Sequence, residues 1–230
     1  MTILIEAAVE SLDDALAAVH GGAHRLEICA DLDAGGTTPT REVIESVLAH
    51  VTLPVLVMIR PRAGDFVYSP GELDRMAEHI DTALALGASG VVFGTLDARR
   101  RVDIAAARRL VTATPGKPVT FHRAIDDTLD PLAAVDDVMS IGVTRVLSSG
   151  GATTALDGAE ALRAMVERAG TTLSIVAGGG VRASNVAELV RRSGVLEVHA
   201  RCAGDAARIA GIARAVAPLA QARERRPTAP

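Results

Sequence analysis

The chain contains no tryptophan, one tyrosine and three phenylalanines in 230 residues. So few rings exclude a stacking surface for nucleobases or sugars. Lysine is nearly absent as well: Lys117 stands alone against twenty-three arginines, so Schiff-base chemistry would rest on that one residue. The two cysteines, Cys29 and Cys202, are too few and too far apart for a disulfide framework or a structural zinc site. Neither sign of charge dominates, since 24 basic and 28 acidic side chains leave a net charge of −4. That balance lacks the electrostatic footprint of a nucleic-acid or anionic-membrane binder. No apolar run approaches the length of a membrane span. The N-terminal stretch MTILIEAAVESLDD turns acidic without a basic leader region, which is unlike a signal peptide. The expectation is a cytoplasmic protein.

What the sequence does have is alternation. Short apolar, β-branched runs recur at 3–8, 25–30, 55–60, 90–93, 119–122, 145–148, 173–177 and 196–199. Stretches of helical spacing lie between them, with readable ends. Ser11 and Asp14 have capping-box spacing, and Gly21-Gly22 closes that helix. Ser69-Pro70-Gly71-Glu72 opens another with a capping Ser, a Pro in the first turn and a Glu that can reach back. Asp130-Pro131 starts a further helix that Gly142 ends, and Ser184-Asn185 and Asp205 precede the last two. Eight strand–helix units of roughly 28 residues predict a parallel sheet closed into a single-domain (β/α)8 TIM barrel over 1–220. An open dinucleotide-binding sheet would want glycines after the first strand, where EAAVESLDD has none. The tail 221–230, QARERRPTAP, reads as disordered.

In such a barrel the chemistry sits where strands run out into the following loops. Polar residues in those places are Glu6, Glu27 (followed by Cys29), Arg60, His122 and Arg123, Ser148, and Glu197 with His199. Alternation along a strand gives Glu27 and Cys29 one facing, and Glu197 and His199 another shared one. Glu6 and Glu27 fall on neighbouring strands about 4.8 Å apart and need a counter-charge, for which Arg60 is the expected source. Glu6, Glu27, Arg60, His122 and His199 are therefore the candidate catalytic residues. Lys117 precedes the fifth strand and belongs to the opposite face, against a Schiff-base aldolase. The loop after the third strand, PRAGDFVYS, holds Arg62, Asp65, Phe66 and Tyr68 and has the make-up of a lid. Glycine-rich turns at Ser148–Gly151 and Gly178-Gly179-Gly180 suit a phosphate or carboxylate. Arg62, Asp65, Arg123, Ser148 and those three glycines are the candidate ligand-binding residues.

Several blocks resemble the CutC family of copper homeostasis proteins: LEICADLDAGGTTPT (26–40), VMIRPRAGDFVYS (57–69), GVVFGTLD (90–97), VTFHRAID (119–126) and AGGGVRASN (177–185). The resemblance spans roughly 3–204 and implies a TIM barrel, a cytoplasmic location, a homo-oligomer and a link to copper. It carries over one metal ligand, Cys29. The chain departs from the family pattern at Ala7 and Ala8, where relatives carry cysteine, and at VHARCAG after the last strand.

Two functions follow. Under the family reading the protein binds copper, and the soft donors that Cu(I) prefers are Cys29, Cys202 and Met58, with His122 or His199 beside them. Under the alternative it is an isomerase or lyase acting on a small anionic metabolite. Glu6, Glu27 or His122 would then supply acid and base, and Arg60 and Arg62 would clamp a carboxylate or phosphate.

Overall fold

The computed structural model describes residues 2–224. Eight strands, β1 (Leu4–Val9), β2 (Arg25–Ile28), β3 (Val55–Met58), β4 (Gly90–Phe93), β5 (Val119–Phe121), β6 (Arg145–Ser148), β7 (Ser174–Gly178) and β8 (Glu197–Arg201), close in sequence order into one parallel barrel. The helices that follow them are α1 (Leu12–His20), α2 (Arg41–His50), α3 (Pro70–Ala85), α4 (Ile104–Thr112), α5 (Pro131–Met139), α6 (Ala159–Ala169), α7 (Val186–Ser193) and α8 (Ala206–Glu224). Among the described residues no helix is long and apolar enough to cross a membrane.

Local chemistry sets the element ends. Ser69 accepts the Glu72 N–H while the Glu72 carboxylate accepts the Ser69 N–H, which completes the capping box at α3 with Pro70 beside it. At α1 only half the box forms: Ser11 accepts from Asp14, but the Asp14 carboxylate accepts from the Glu10 N–H. Asp130 caps α5 through the N–H groups of Leu132 and Ala133. α8 continues four residues into the segment expected to be disordered, and 225–230 lie outside the described residues. β3 and β5 end before Arg60 and His122, so both residues stand on the loops just above the barrel. Thr38 holds the Arg60 backbone there by a 2.8 Å bond to its N–H, and a 3₁₀ turn, Arg123–Asp127, begins directly after His122.

Strand alternation sorts the apolar side chains into two clusters. Val55, Val57, Ile59, Val91 and Phe93 face outward into the large core beneath the helices. Facing inward, Cys29, Leu56, Met58 and Val92 form a small separate cluster. Barrel interiors are ordinarily filled by layers of bulky branched residues. Here the register sets Glu6 level with both Arg25 and His199, Thr120 level with Arg145, and Val176 level with Glu197. Much of the lumen is therefore ionic, and charges in such a place must be paired.

Candidate functional site

The pairing runs through one connected chain. Arg25 donates from Nε to Glu6 and from Nη2 to Glu197 Oε2 at 2.6 Å. His199 Nδ1 lies 2.9 Å from Glu6 Oε1 and 3.3 Å from Glu27 Oε2. The order is Glu197–Arg25–Glu6–His199–Glu27. The counter-charge for the glutamates is thus Arg25, and the expectation that Arg60 serves them is wrong. Arg25 enters β2 two residues before Glu27 and in phase with it, which puts its guanidinium into the lumen.

Environment gives the two glutamates opposite states. Burial alone would raise Glu6, but the hydrogen bond from His199 and the charge of Arg25 hold it at about 2. Burial lifts Glu27 to about 7; the neighbouring Glu6 charge adds to this and His199 opposes it. Burial would make His199 less basic, yet Glu27 and Glu6 together raise it. Glu6 is therefore a fixed carboxylate that, with Glu27, favours the protonated form of His199, while Glu27 exchanges a proton near neutrality. One Glu27 oxygen, Oε1, is buried without a hydrogen-bond partner.

His122 differs from both. Its Nδ1 accepts the Ala124 N–H at 3.1 Å, which assigns the ring proton to Nε2. Burial and the nearby Arg60 charge pull it down to about 3, so it is neutral. Nε2 is buried and unpartnered. His122 is thus a neutral hydrogen-bond donor, which does not fit the acid–base role expected for it.

Arg60 lines neither of the two cavities described below. It donates to the carbonyls of Ala34, Gly36 and Gly64, and its guanidinium lies 4.8 Å over the Phe66 ring. It pins the loop after β2 to the loop after β3. Arg62 bonds Glu72 at 2.6 Å, Asp65 at 3.0 Å and the Val67 carbonyl, and it sits over Tyr68. Arg62 and Asp65 thus shape the loop from within and line neither of the cavities below, against the expectation of an arginine clamp. What the loop delivers is Phe66, whose ring centre is 4.9 Å from that of His122.

A cavity of about 110 Å³ opens at this point, lined by Glu27, Cys29, Met58, Phe66, His122 and His199 among others. A second, of about 320 Å³, adjoins it and shares Leu32, Gly35, Arg123 and His199 with the first. Gly179, Gly180, Arg182, Arg201 and Arg208 form its far side. Gly178 is not on that wall. It is the last residue of β7, where a Cβ would come within 2.5 Å of the Leu147 side chain. Ser148 is also removed from ligand contact: it is fully buried and donates to Asp126 Oδ1 at 2.5 Å. The same Asp126 carboxylate accepts the N–H groups of Ser149 and Gly151, so an internal anion already fills the turn after β6. Arg123 pairs with Asp126 and keeps a place in both cavities.

The cysteines are separated. Cys29 lines the first cavity beside Met58, whereas Cys202 belongs to the outer core with its Sγ 3.9 Å from the Asp205 carbonyl. Burial and the Glu27 carboxyl push the Cys29 thiol well above its ordinary value, so it stays protonated. The one group of metal-ligand spacing among the described residues is Glu6, Glu27 and His199, whose donor atoms lie within 4.8 Å of one another. Those donors suit a hard or borderline cation more than Cu(I). In the present arrangement the two Glu6 oxygens already face Arg25 and His199.

Similarity to known proteins follows the same blocks. A sequence model of the CutC family matches residues 3–204. A family protein CutC of Xanthomonas campestris pv. campestris is 42% identical over 203 residues, 88% of this chain and 85% of its own. Another, from Xylella fastidiosa, is 43% identical over 196 residues, 85% of this chain and 73% of its own. The crystal structure of a candidate copper homeostasis protein CutC from Streptococcus agalactiae superposes with a TM-score of 0.82 at 34% identity, over 86% of this chain and 98% of that one. Thiamine phosphate pyrophosphorylase of Pyrococcus furiosus shares the fold alone, at TM-score 0.66 and 16% identity over 94% of this chain and 96% of that one.

Proposed function

The chain belongs to the CutC family, and we propose that its barrel mouth is the active site of an isomerase- or lyase-type enzyme acting on a small anionic metabolite. The observation that carries this reading is Glu27. A buried carboxyl held near 7, with one oxygen unpartnered and a cavity in front of it, is matched to moving protons at neutral pH. As a carboxylate it takes a proton from carbon next to a substrate carbonyl, and the electron pair passes to the carbonyl oxygen. The Nε2–H of neutral His122 hydrogen-bonds that oxygen as charge develops on it. Glu27, now the acid, returns the proton to the neighbouring carbon in an isomerisation, or the intermediate expels a leaving group in a lyase reaction. His199 and Glu6 hold Glu27 in place and set its proton affinity, and Phe66 closes the cavity against water.

A second reading, copper binding, is favoured by one observation, the adjacency of the Cys29 thiol and the Met58 thioether in the same cavity. Cu(I) would use that pair, with the Cys29 proton released on binding. It faces the burial and the carboxyl that hold the proton on Cys29.

Two measurements on the same preparations separate these readings. The first is solvent-deuterium incorporation, followed by NMR, into a panel of small keto and hydroxy-keto carboxylates and phosphates. The second is anaerobic Cu(I) titration against a competing chelator. The enzyme reading expects exchange into at least one panel member, reduced at least a hundredfold in Glu27→Gln, with Cu(I) affinity indifferent to Cys29→Ala. Stoichiometric Cu(I) binding lost in Cys29→Ala, with no exchange in the panel, overturns it in favour of copper.

A further inference from the structure

We infer that the floor of the barrel holds a second ligand site, one for a small aliphatic monocarboxylate. It lies at the end of the lumen opposite the mouth and does not depend on the enzymatic reading.

The floor is where the strands begin, and in this fold it ordinarily serves stability, with bulky branched side chains filling the lumen. Here strand alternation sets Leu4, Arg25, Pro54, Gly90, Pro118 and Arg145 at the inward positions of the lowest layer. None of them is β-branched. Gly90 has no room for a side chain, because a Cβ would run into the Pro118 carbonyl and the Leu56 side chain. This layer leaves a cavity of about 310 Å³. Leu4, Pro54, Leu56 and Pro118 are its apolar lining, and His24, Arg25, Ser89 and Arg145 are its polar lining. Leu4 is 36% exposed, so the floor offers apolar surface together with its polar groups.

The donors in that lining are unmet. Arg145 bonds only through Nε, to Thr120 Oγ1 at 3.2 Å. Among the described residues Nη1 has no hydrogen-bond partner, and Nη2 is buried without one. A buried N–H without an acceptor is costly, the more so on a charged group. Burial and the charge of Arg25 both push the Arg145 guanidinium below its ordinary value. With Nε taken, the Nη1–Nη2 edge remains for a carboxylate, which docks on it with two parallel bonds. Ser89 Oγ accepts the Val55 N–H at 3.2 Å, so its own proton is free to donate. His24 Nδ1 accepts the Ile5 N–H at 3.1 Å, which leaves Nε2–H as the donor of that ring.

Net charge does not select the ligand, since Arg25 and Arg145 are set against Glu6 and Glu197. The unmet donors select it, and the two carboxylates set its limit. Both of them act on Arg145, so a second negative charge on the guest would meet their repulsion. A single charge fits. The apolar lining calls for hydrocarbon behind that charge.

The test is calorimetric titration of the full chain with butyrate, with acetate, n-butylamine and inorganic phosphate beside it. It is repeated on Arg145→Gln, Arg145→Lys, Leu4→Asn and, at the barrel mouth, Phe66→Ala. Butyrate is expected to bind, acetate and phosphate to bind at least about fivefold more weakly, and butylamine to show no binding. Arg145→Gln should weaken butyrate about ten- to a hundredfold, in line with the loss of charge-assisted contacts. Arg145→Lys keeps the charge without the fork and should recover only part of the affinity. Leu4→Asn should weaken binding several-fold through the apolar lining, and Phe66→Ala should change it less than about twofold. Thermal melts check the folding of each variant. Leu4 is exposed enough for its variant to decide the matter where Arg145→Gln does not fold. No butyrate binding, equal affinity for acetate, phosphate or butylamine, or indifference to both the Arg145 and the Leu4 substitutions overturns the inference. Binding lost in Phe66→Ala and kept in Arg145→Gln would put the carboxylate at the mouth and overturn it as well.

Discussion

Arg25 shows how much one side chain decides in this lumen. It joins Glu6 to Glu197 from a position that is almost fully enclosed, so it is the fixed cation on which the whole ionic chain is built. Removing one partner of a buried ion pair leaves the other charge stranded, typically at a cost of about 3–5 kcal/mol. Arg25→Met is therefore expected to lose stability on that scale in urea unfolding. The double variant Arg25→Met/Glu6→Gln should recover part of the loss, because one stranded charge is gone. A single variant within about 1 kcal/mol of the parent would show that the pair is not what holds Glu6 ionised. The residue was hard to find in sequence because it opens its strand, where the barrel floor lies, and an arginine there reads as surface. Glu6, Glu27 and His199 were legible, since charged residues in phase with an inward-facing strand need a reason to be there. Asp126 was not: it lies in a turn, and only the three-dimensional path brings it under Ser149 and Gly151.

Among the elements, the strands and helix starts were the easiest features to read, because alternation and capping are local. The loops were the hardest. The sequence placed Arg60 and Arg62 near a site as clamps, yet Arg60 puts its two terminal nitrogens on backbone carbonyls, leaving Nε buried and unpartnered, and Arg62 turns to Glu72 and Asp65. Their spacing, two apart on one polar loop, carries no information about which way a guanidinium turns. Arg201 and Arg208 escaped notice for the related reason that arginines at a strand end and in a helix's first turn are common surface residues. The role of Arg60 as a tie between two loops has its own test. Charge-assisted hydrogen bonds contribute about 1.5–3 kcal/mol each. Arg60→Met should therefore raise amide hydrogen exchange at 31–38 and 61–69 by ten- to a hundredfold or more, while β1, β7 and β8 keep their protection. Exchange that rises equally throughout the barrel would mean that Arg60 supports the global fold instead of these two loops.

At the scale of the whole molecule, the Glu27–His199–Glu6 group should be visible in how stability depends on pH. Glu6 has a folded value of about 2, below the 4.5 of an unperturbed glutamate. Its contribution is complete above about 4.5 and disappears as pH falls through 2. Glu27 acts in the opposite sense, because its folded value of about 7 lies above 4.5. Folding then takes up a proton, and the contribution, full below 4.5, is lost as pH rises through 7. His199, raised above 6.5 by the same carboxylates, works in the same direction as Glu27. Glu27→Gln replaces the titrating carboxyl with an amide that has no charge to bury. Relative to the parent, the variant should gain a few kcal/mol of unfolding free energy between pH 5 and 8, with most of the change before pH 7. Measuring the difference between the two proteins at each pH cancels the titrating groups remote from Glu27 and leaves the Glu27–His199 pair. A difference that stays flat from pH 5 to 8 would mean that Glu27 ionises at the usual glutamate value. Glu27 would then be a carboxylate of ordinary basicity, too weak a base for the proton transfer proposed for it at neutral pH.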